Sequence, residues 1–159
     1  MKRFFLPVLV LLFITIACNN SGKKNDAPNT DRTDEPKSTA DSLMKEIDDG
    51  HMIGMSKMAK LHNTRKEIQR IIDSIGTLPA KAQQAVAPYL TRLQSVIKDL
   101  DYADSGMDKW MTEFEMDSAL DNLAKRIKYL TEEKLKVEKM KDAMLTSLQK
   151  ADSILHARF

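Results

Sequence analysis

Two histidines and a set of methionines are the side chains of this 159-residue sequence with the clearest chemical potential. His51, Met55, Met58 and His62 fall at i, i+4, i+7 and i+11, which on a helix is one continuous face, and Met44 extends that face by two turns. Further along, Met107 and Met111 form an i,i+4 pair flanking Trp110, and Met116 follows. Thioether sulfur and imidazole nitrogen are donors that a Cu(I) ion prefers, and an aromatic face near a bound cation adds cation–π attraction. A site built from His51, Met55, Met58, Met107 and Met111 would therefore hold a soft metal ion. Packing alone accounts for the same pattern, because Met fills irregular core gaps and a stripe of Met at helical spacing is the usual mark of a core. Packing is the leading expectation, and Cu(I) binding is the alternative.

Other chemistries find fewer parts. The adjacent acids Asp48-Asp49 and Glu132-Glu133 would point about 100° apart on a helix, so neither is a preformed acid–base dyad. A di-iron bundle needs two Glu-x-x-His motifs and two further Glu, and Asp48-x-x-His51 is the nearest approach to one. The sequence has no GxSxG, no glycine-rich phosphate loop and no HExxH. An enzyme is not expected. With 25 Lys+Arg against 23 Asp+Glu the charge is nearly balanced, which removes the usual electrostatic case for nucleic-acid binding, one that rests on a basic face. A single Cys excludes an internal disulfide framework and a CxxC zinc site.

That Cys belongs to a targeting segment. Lys2 and Arg3 precede an apolar run from Phe4 to Ile16, too short for the ~30 Å hydrocarbon core and of the length of a signal-peptide apolar region. The run ends in Thr15-Ile16-Ala17-Cys18, followed at once by Asn19, Asn20 and Ser21. This resembles a bacterial lipobox, with Thr15 where Leu is usual, and the resemblance implies cleavage after residue 17 and lipidation of Cys18. Acyl chains at about 0.8 kcal/mol per buried CH₂ make such an anchor effectively permanent. Residue 19 is Asn rather than Asp, and no acidic cluster follows Cys18, so the expected location is the outer membrane with the domain facing the periplasm. Removing Lys2 and Arg3 leaves 23 basic residues against 23 acidic ones, a mature chain of zero formal charge.

Residues 19–40 contain no Leu, Ile, Val, Met or aromatic residue and read, with Cys18, as a flexible tether spanning roughly 25 Å. From residue 41 to 159 the period is helical. Met44, Ile47, His51, Gly54, Met58, Leu61, Arg65, Ile68, Ile72 and Ile75 follow a 3,4 spacing, which predicts a first helix ending at Gly76 and Pro79. A second helix is expected from about Pro79 to Asp101, kinked or split at Pro88. Ser105 to Asp108 has capping-box spacing and predicts a short helix over 105–114. The last helix is expected over about 117–158, with Leu120, Leu123, Ile127, Leu130, Val137, Met144, Leu148, Ala151 and Leu155 on its seam and Lys134 and Lys141 interrupting it. Its mixed charges from Glu132 to Lys150 suit a solvated face, or else a docking face for an envelope partner. The fold class is all-α, an antiparallel three-helix bundle with a short extra helix at one end. Folding back on itself, such a bundle would bring Met107, Trp110 and Met111 towards His51 and Met55.

The segments His51-Met-Ile-Gly-Met55-Ser-Lys-Met58, Met107-Asp-Lys-Trp-Met111-Thr-Glu-Phe114 and Tyr129-Leu-Thr-Glu-Glu through Met144-Leu-Thr-Ser-Leu-Gln-Lys-Ala-Asp152 carry a further likeness. They resemble small helical lipoproteins of Bacteroidota type and unassigned function, some labelled "viral A-type inclusion protein". The resemblance covers most of residues 44–155 and implies a helical fold and a lipid anchor, without a substrate, cofactor or catalytic residue. Gly54, in mid-helix, costs up to about 1 kcal/mol relative to Ala. A close helix crossing or a bound ligand at that level would account for it. The expected role is a structural or interaction module of the cell envelope.

Overall fold

A computed structural model describes residues 38–157; the segment read as signal peptide, Cys18 and most of the tether lie outside the described residues. Four helices follow in order: α1 Thr39–Gly76, α2 Ala80–Ala85, α3 Ala87–Glu113 and α4 Leu123–Leu155. The described residues form an all-α bundle in which α1, α3 and α4 pack on one another. At 1.5 Å per residue, the 38 residues of α1 and the 33 of α4 span about 57 Å and about 50 Å. No helix among them is long and apolar enough to cross a membrane.

Each terminus has a local cause. Ser38 Oγ accepts from Asp41 N–H and opens α1, and Asn122 accepts from Lys125 N–H to open α4, both in the N-cap role that Ser and Asn fill well. Pro88 splits the expected second helix rather than kinking it. It stands in the first turn of α3, where its missing N–H has no partner to lose, and α2 remains a six-residue turn before it.

The third expectation is corrected. Residues 105–114 are not a separate helix but the last turns of α3, which runs unbroken to Glu113. Ser105 does not cap: its hydroxyl donates to the Asp101 carbonyl one turn back, as a mid-helix serine does. The last helix also begins later than expected, at Leu123 rather than 117. Residues 114–122 form the connection, which turns through Ala119 at φ 56°, a conformation disfavoured for a residue carrying a Cβ.

Side-chain pairs set the directions. His62 meets Asp104 and Arg65 meets Asp101, so α1 and α3 are antiparallel. Lys150 meets Asp99 and Trp110 meets Glu133, so α3 and α4 are antiparallel too. Lys134 meets Glu46 and Lys60 meets Asp152, so α1 and α4 run in parallel. The start of α1, the end of α3 and the start of α4 therefore share one end of the bundle, called here the proximal pole.

The core is a heptad register. Ile47, Gly54, Leu61, Ile68 and Ile75 of α1, Leu93, Leu100 and Met107 of α3, and Leu130, Val137, Met144 and Ala151 of α4 are all buried at steps of seven. On α1 the other seam set divides: His51, Met58 and Ile72 are half-buried, and Arg65 lies at the rim against Asp101. Of the residues expected on the last seam, Leu120 lies before α4 and Leu123 at its first position, both exposed, while Glu133 and Met140 take core positions of α4.

Candidate functional site

The proximal pole is where the aliphatic register gives way to other chemistry. Ile47 and Gly54 hold α1 against the core, which leaves His51, between them, half-buried at the edge. The last turns of α3 bring Trp110 and Met111 to it. The His51 and Trp110 rings lie with centroids 5.5 Å apart at 45°, and His51 Nε2 is 3.2 Å from Met111 Sδ. Trp110 stacks on Phe114 at 5.0 Å, and Phe114 on Tyr129 at 6.2 Å, so a row of rings runs from α1 across α3 to α4.

A buried carboxylate fixes that row. Trp110 Nε1–H donates to Glu133 Oε2 at 3.0 Å, and Lys136 Nζ donates to Glu133 Oε1 at 2.7 Å. Glu133 is 4% exposed, and an unpaired carboxylate at that depth would be costly; both of its oxygens are engaged. The bond to Glu133 holds the Lys136 ammonium above the usual lysine range. Burial pushes the Tyr129 phenol up, while its oxygen accepts the Glu115 N–H at 2.7 Å and so pins the start of the 114–122 connection. Arg126, donating to the Ser118 carbonyl at 2.8 Å, holds the other side of that connection.

Between α1 and this aromatic row lies a cavity of about 360 Å³. Met44, Ile47, Asp48 and His51 line it from α1, and Trp110, Met111, Phe114 and Met116 line it from α3 and the connection. Three thioethers and one imidazole thus border one space, of the kind of side-chain set that suits a soft ion.

The expected donors are divided by the fold. His51 and Met111 come together. Met107, one turn deeper, is fully buried, and its methyl carbon lies 2.5 Å from where a Cβ on residue 54 would stand. This close crossing of α1 and α3 accounts for Gly54 in mid-helix. Met58 is partly buried against the core, Met55 is exposed, and neither lines the cavity. His62, the other histidine of the stripe, is paired with Asp104 at 2.9 Å. Among the described residues no group of three or more His, Cys, Asp and Glu converges as a zinc or calcium site would need.

Met44 and Met116 are visible in the sequence as outliers of the two Met clusters, and the cavity is where those outliers meet. Glu133 had a plainer signal. Continuing the 3,4 spacing from Leu130 lands on Glu133, Val137, Met140 and Met144, and Lys134 is simply the next position round.

No family model matches the chain, and neither a curated protein nor a solved structure matches it.

Proposed function

We propose that this chain is a lipid-anchored helical module of the bacterial envelope, attached to the outer membrane through Cys18, facing the periplasm and working by binding rather than catalysis. Kinship with the small Bacteroidota-type helical lipoproteins is part of the same proposal. The observation that carries the binding role is the make-up of the proximal pole. Met116 and Leu120 in the 114–122 connection and Leu123 at the first position of α4 are 67%, 71% and 64% exposed, at the end of the bundle from which the chain leads back through the tether to Cys18. Exposed apolar groups gathered in this way are the usual mark of an interaction surface. The partner in this reading is another protein of the envelope.

Replacing Cys18 with Ser tests the anchor. The variant should leave the membrane fraction and lose acyl labelling while its helical content stays unchanged. Undiminished membrane retention, together with no acyl label on the parent chain, would contradict the anchor. A photo-crosslinking residue at position 120 then tests the surface: it should give one discrete adduct in intact cells, and the same residue at exposed Arg70, in the distal half of α1, should give none.

A second reading, binding of a soft metal ion, is favoured by one specific contact, the approach of His51 Nε2 to Met111 Sδ.

A further inference from the structure

We propose that the proximal cavity is a Cu(I) site whose donors are His51, Met111, Met44 and Met116, with Trp110 covering one side. This rests on the second reading above and names its ligands; it stands whether or not the chain is anchored.

The central pair sits at the right separation. Bonds of about 2.0 Å to imidazole nitrogen and about 2.3 Å to sulfur put two ligands of one tetrahedral d¹⁰ ion about 3.5 Å apart. His51 Nε2 and Met111 Sδ are 3.2 Å apart, so a small opening admits an ion between them. The contact has little other purpose. Thioether sulfur is a weak hydrogen-bond acceptor, and His62, about three turns further along α1, shows the ordinary choice, a carboxylate at 2.9 Å. His51 is turned instead towards sulfur.

The rest of the cavity fits the same ion. Met44 and Met116 supply two further thioethers to the space that His51 and Met111 border, and one neutral imidazole with up to three thioethers is a soft donor set. Asp48 is the one acidic side chain on the lining, enough to offset a monovalent charge and too few for a hard divalent cation. The Trp110 ring, held by Glu133 and stacked on Phe114, is fixed where its face can meet a cation. Met107, Met140 and Met144 take no part: all three are buried in the core, and none lines the cavity.

The test is an anaerobic titration of the full chain carrying Cys18→Ser, which removes its one thiol, with Cu(I) against a chromophoric Cu(I) chelator. Met→Leu variants keep apolar volume and delete only the sulfur, so they separate ligation from packing; circular dichroism confirms equal helicity. The parent should take one equivalent from the chelator and lose Trp110 fluorescence as it does so. His51→Ala and Met111→Leu should each weaken binding at least about tenfold, since even partners that only orient a ligand are worth that much. Met44→Leu with Met116→Leu should weaken it further, and Met140→Leu should leave it unchanged. If the parent takes no Cu(I), both the site and the metal reading fail. If Cu(I) binds but is lost in Met55→Leu or Met58→Leu rather than in His51→Ala and Met111→Leu, the metal reading survives and this donor set is overturned.

Discussion

The distal two-thirds of the bundle and its proximal pole share one heptad register and use it for different ends. In the shaft the seam is aliphatic: Leu61, Ile68, Leu93, Leu100, Met144 and Leu148 pack together. Ion pairs such as Lys60–Asp152 and Lys150–Asp99, at 2.9 and 2.8 Å, border them in solvent. At the pole the same register positions carry a buried acid, a tryptophan and a histidine edge, and the adjoining connection and the first residue of α4 leave Leu120 and Leu123 outside. A register therefore settles where a side chain points without settling what it is for. Identical Met residues illustrate this. Met144 in the shaft is core, while Met111 at the pole borders a cavity and touches an imidazole.

The comparison breaks most readily on stability. Leu61→Ala should lower the unfolding free energy by about 2–5 kcal/mol, the cost of emptying a closed aliphatic site. Met111→Ala, at a partly exposed position, should lower it by less than about 1 kcal/mol. Denaturant unfolding measures both, and similar losses would erase the distinction between shaft and pole. Next in size is the buried acid. Glu133→Ala strips the Trp110 N–H of its acceptor and should cost about 1–3 kcal/mol. Combined with Trp110→Phe it should cost less than the sum of the two single changes, since the groups share one hydrogen bond.

Two glycines a turn apart on α1 sharpen the contrast at about 1 kcal/mol. A Cβ at Gly50 would meet Val137 Cγ1 at 3.4 Å, ordinary contact, so Gly50→Ala should stabilise by about 0.5–1 kcal/mol through helix propensity. A Cβ at Gly54 would displace the buried Met107 methyl, so Gly54→Ala should destabilise by about 1 kcal/mol despite the same propensity gain. Thermal unfolding of the pair should give shifts of opposite sign.

The smallest effect is alkaline. Lys136 and Tyr129 at the pole both hold their protons more tightly in the folded chain than outside it, through the bond to Glu133 and through burial respectively. Their contribution is complete below the ordinary lysine and tyrosine values, and it is lost as pH rises through the raised ones. Because Lys136 is mostly exposed, its share is under about 1 kcal/mol. The melting temperature should hold up to about pH 9.5 and fall as pH rises above about 10. The fall should be smaller in a Lys136→Met/Tyr129→Phe variant.

Much of the shaft was legible in the sequence, because steps of three and four among Ile, Leu and Val have one physical reading. Pro88 was legible as a break for the same reason: the chemistry of a missing N–H is local. Ser105 misled because the capping-box spacing also occurs inside helices, where a serine hydroxyl is satisfied by the carbonyl one turn back. Leu120 and Leu123 mislead because apolar type at this spacing reads as seam, although α4 starts only at Leu123. The site was half legible. Antiparallel packing of α1 and α3 brings residue 51 to residue 111, and that followed from hairpin arithmetic. Which methionine of an i,i+4 pair points inward depends on the crossing at Gly54, where Met107 fills the space a side chain would take. That is a tertiary fact with no periodic signature.

The most direct test of a divided bundle is methyl NMR of the full Cys18→Ser chain labelled at its methionine methyls, with Cu(I) added anaerobically. The Met44, Met111 and Met116 signals should shift together and saturate at one equivalent, while those of Met107, Met140 and Met144 stay in place. Shifts spread evenly over shaft and pole, or none at Met111, would contradict the division of labour between them.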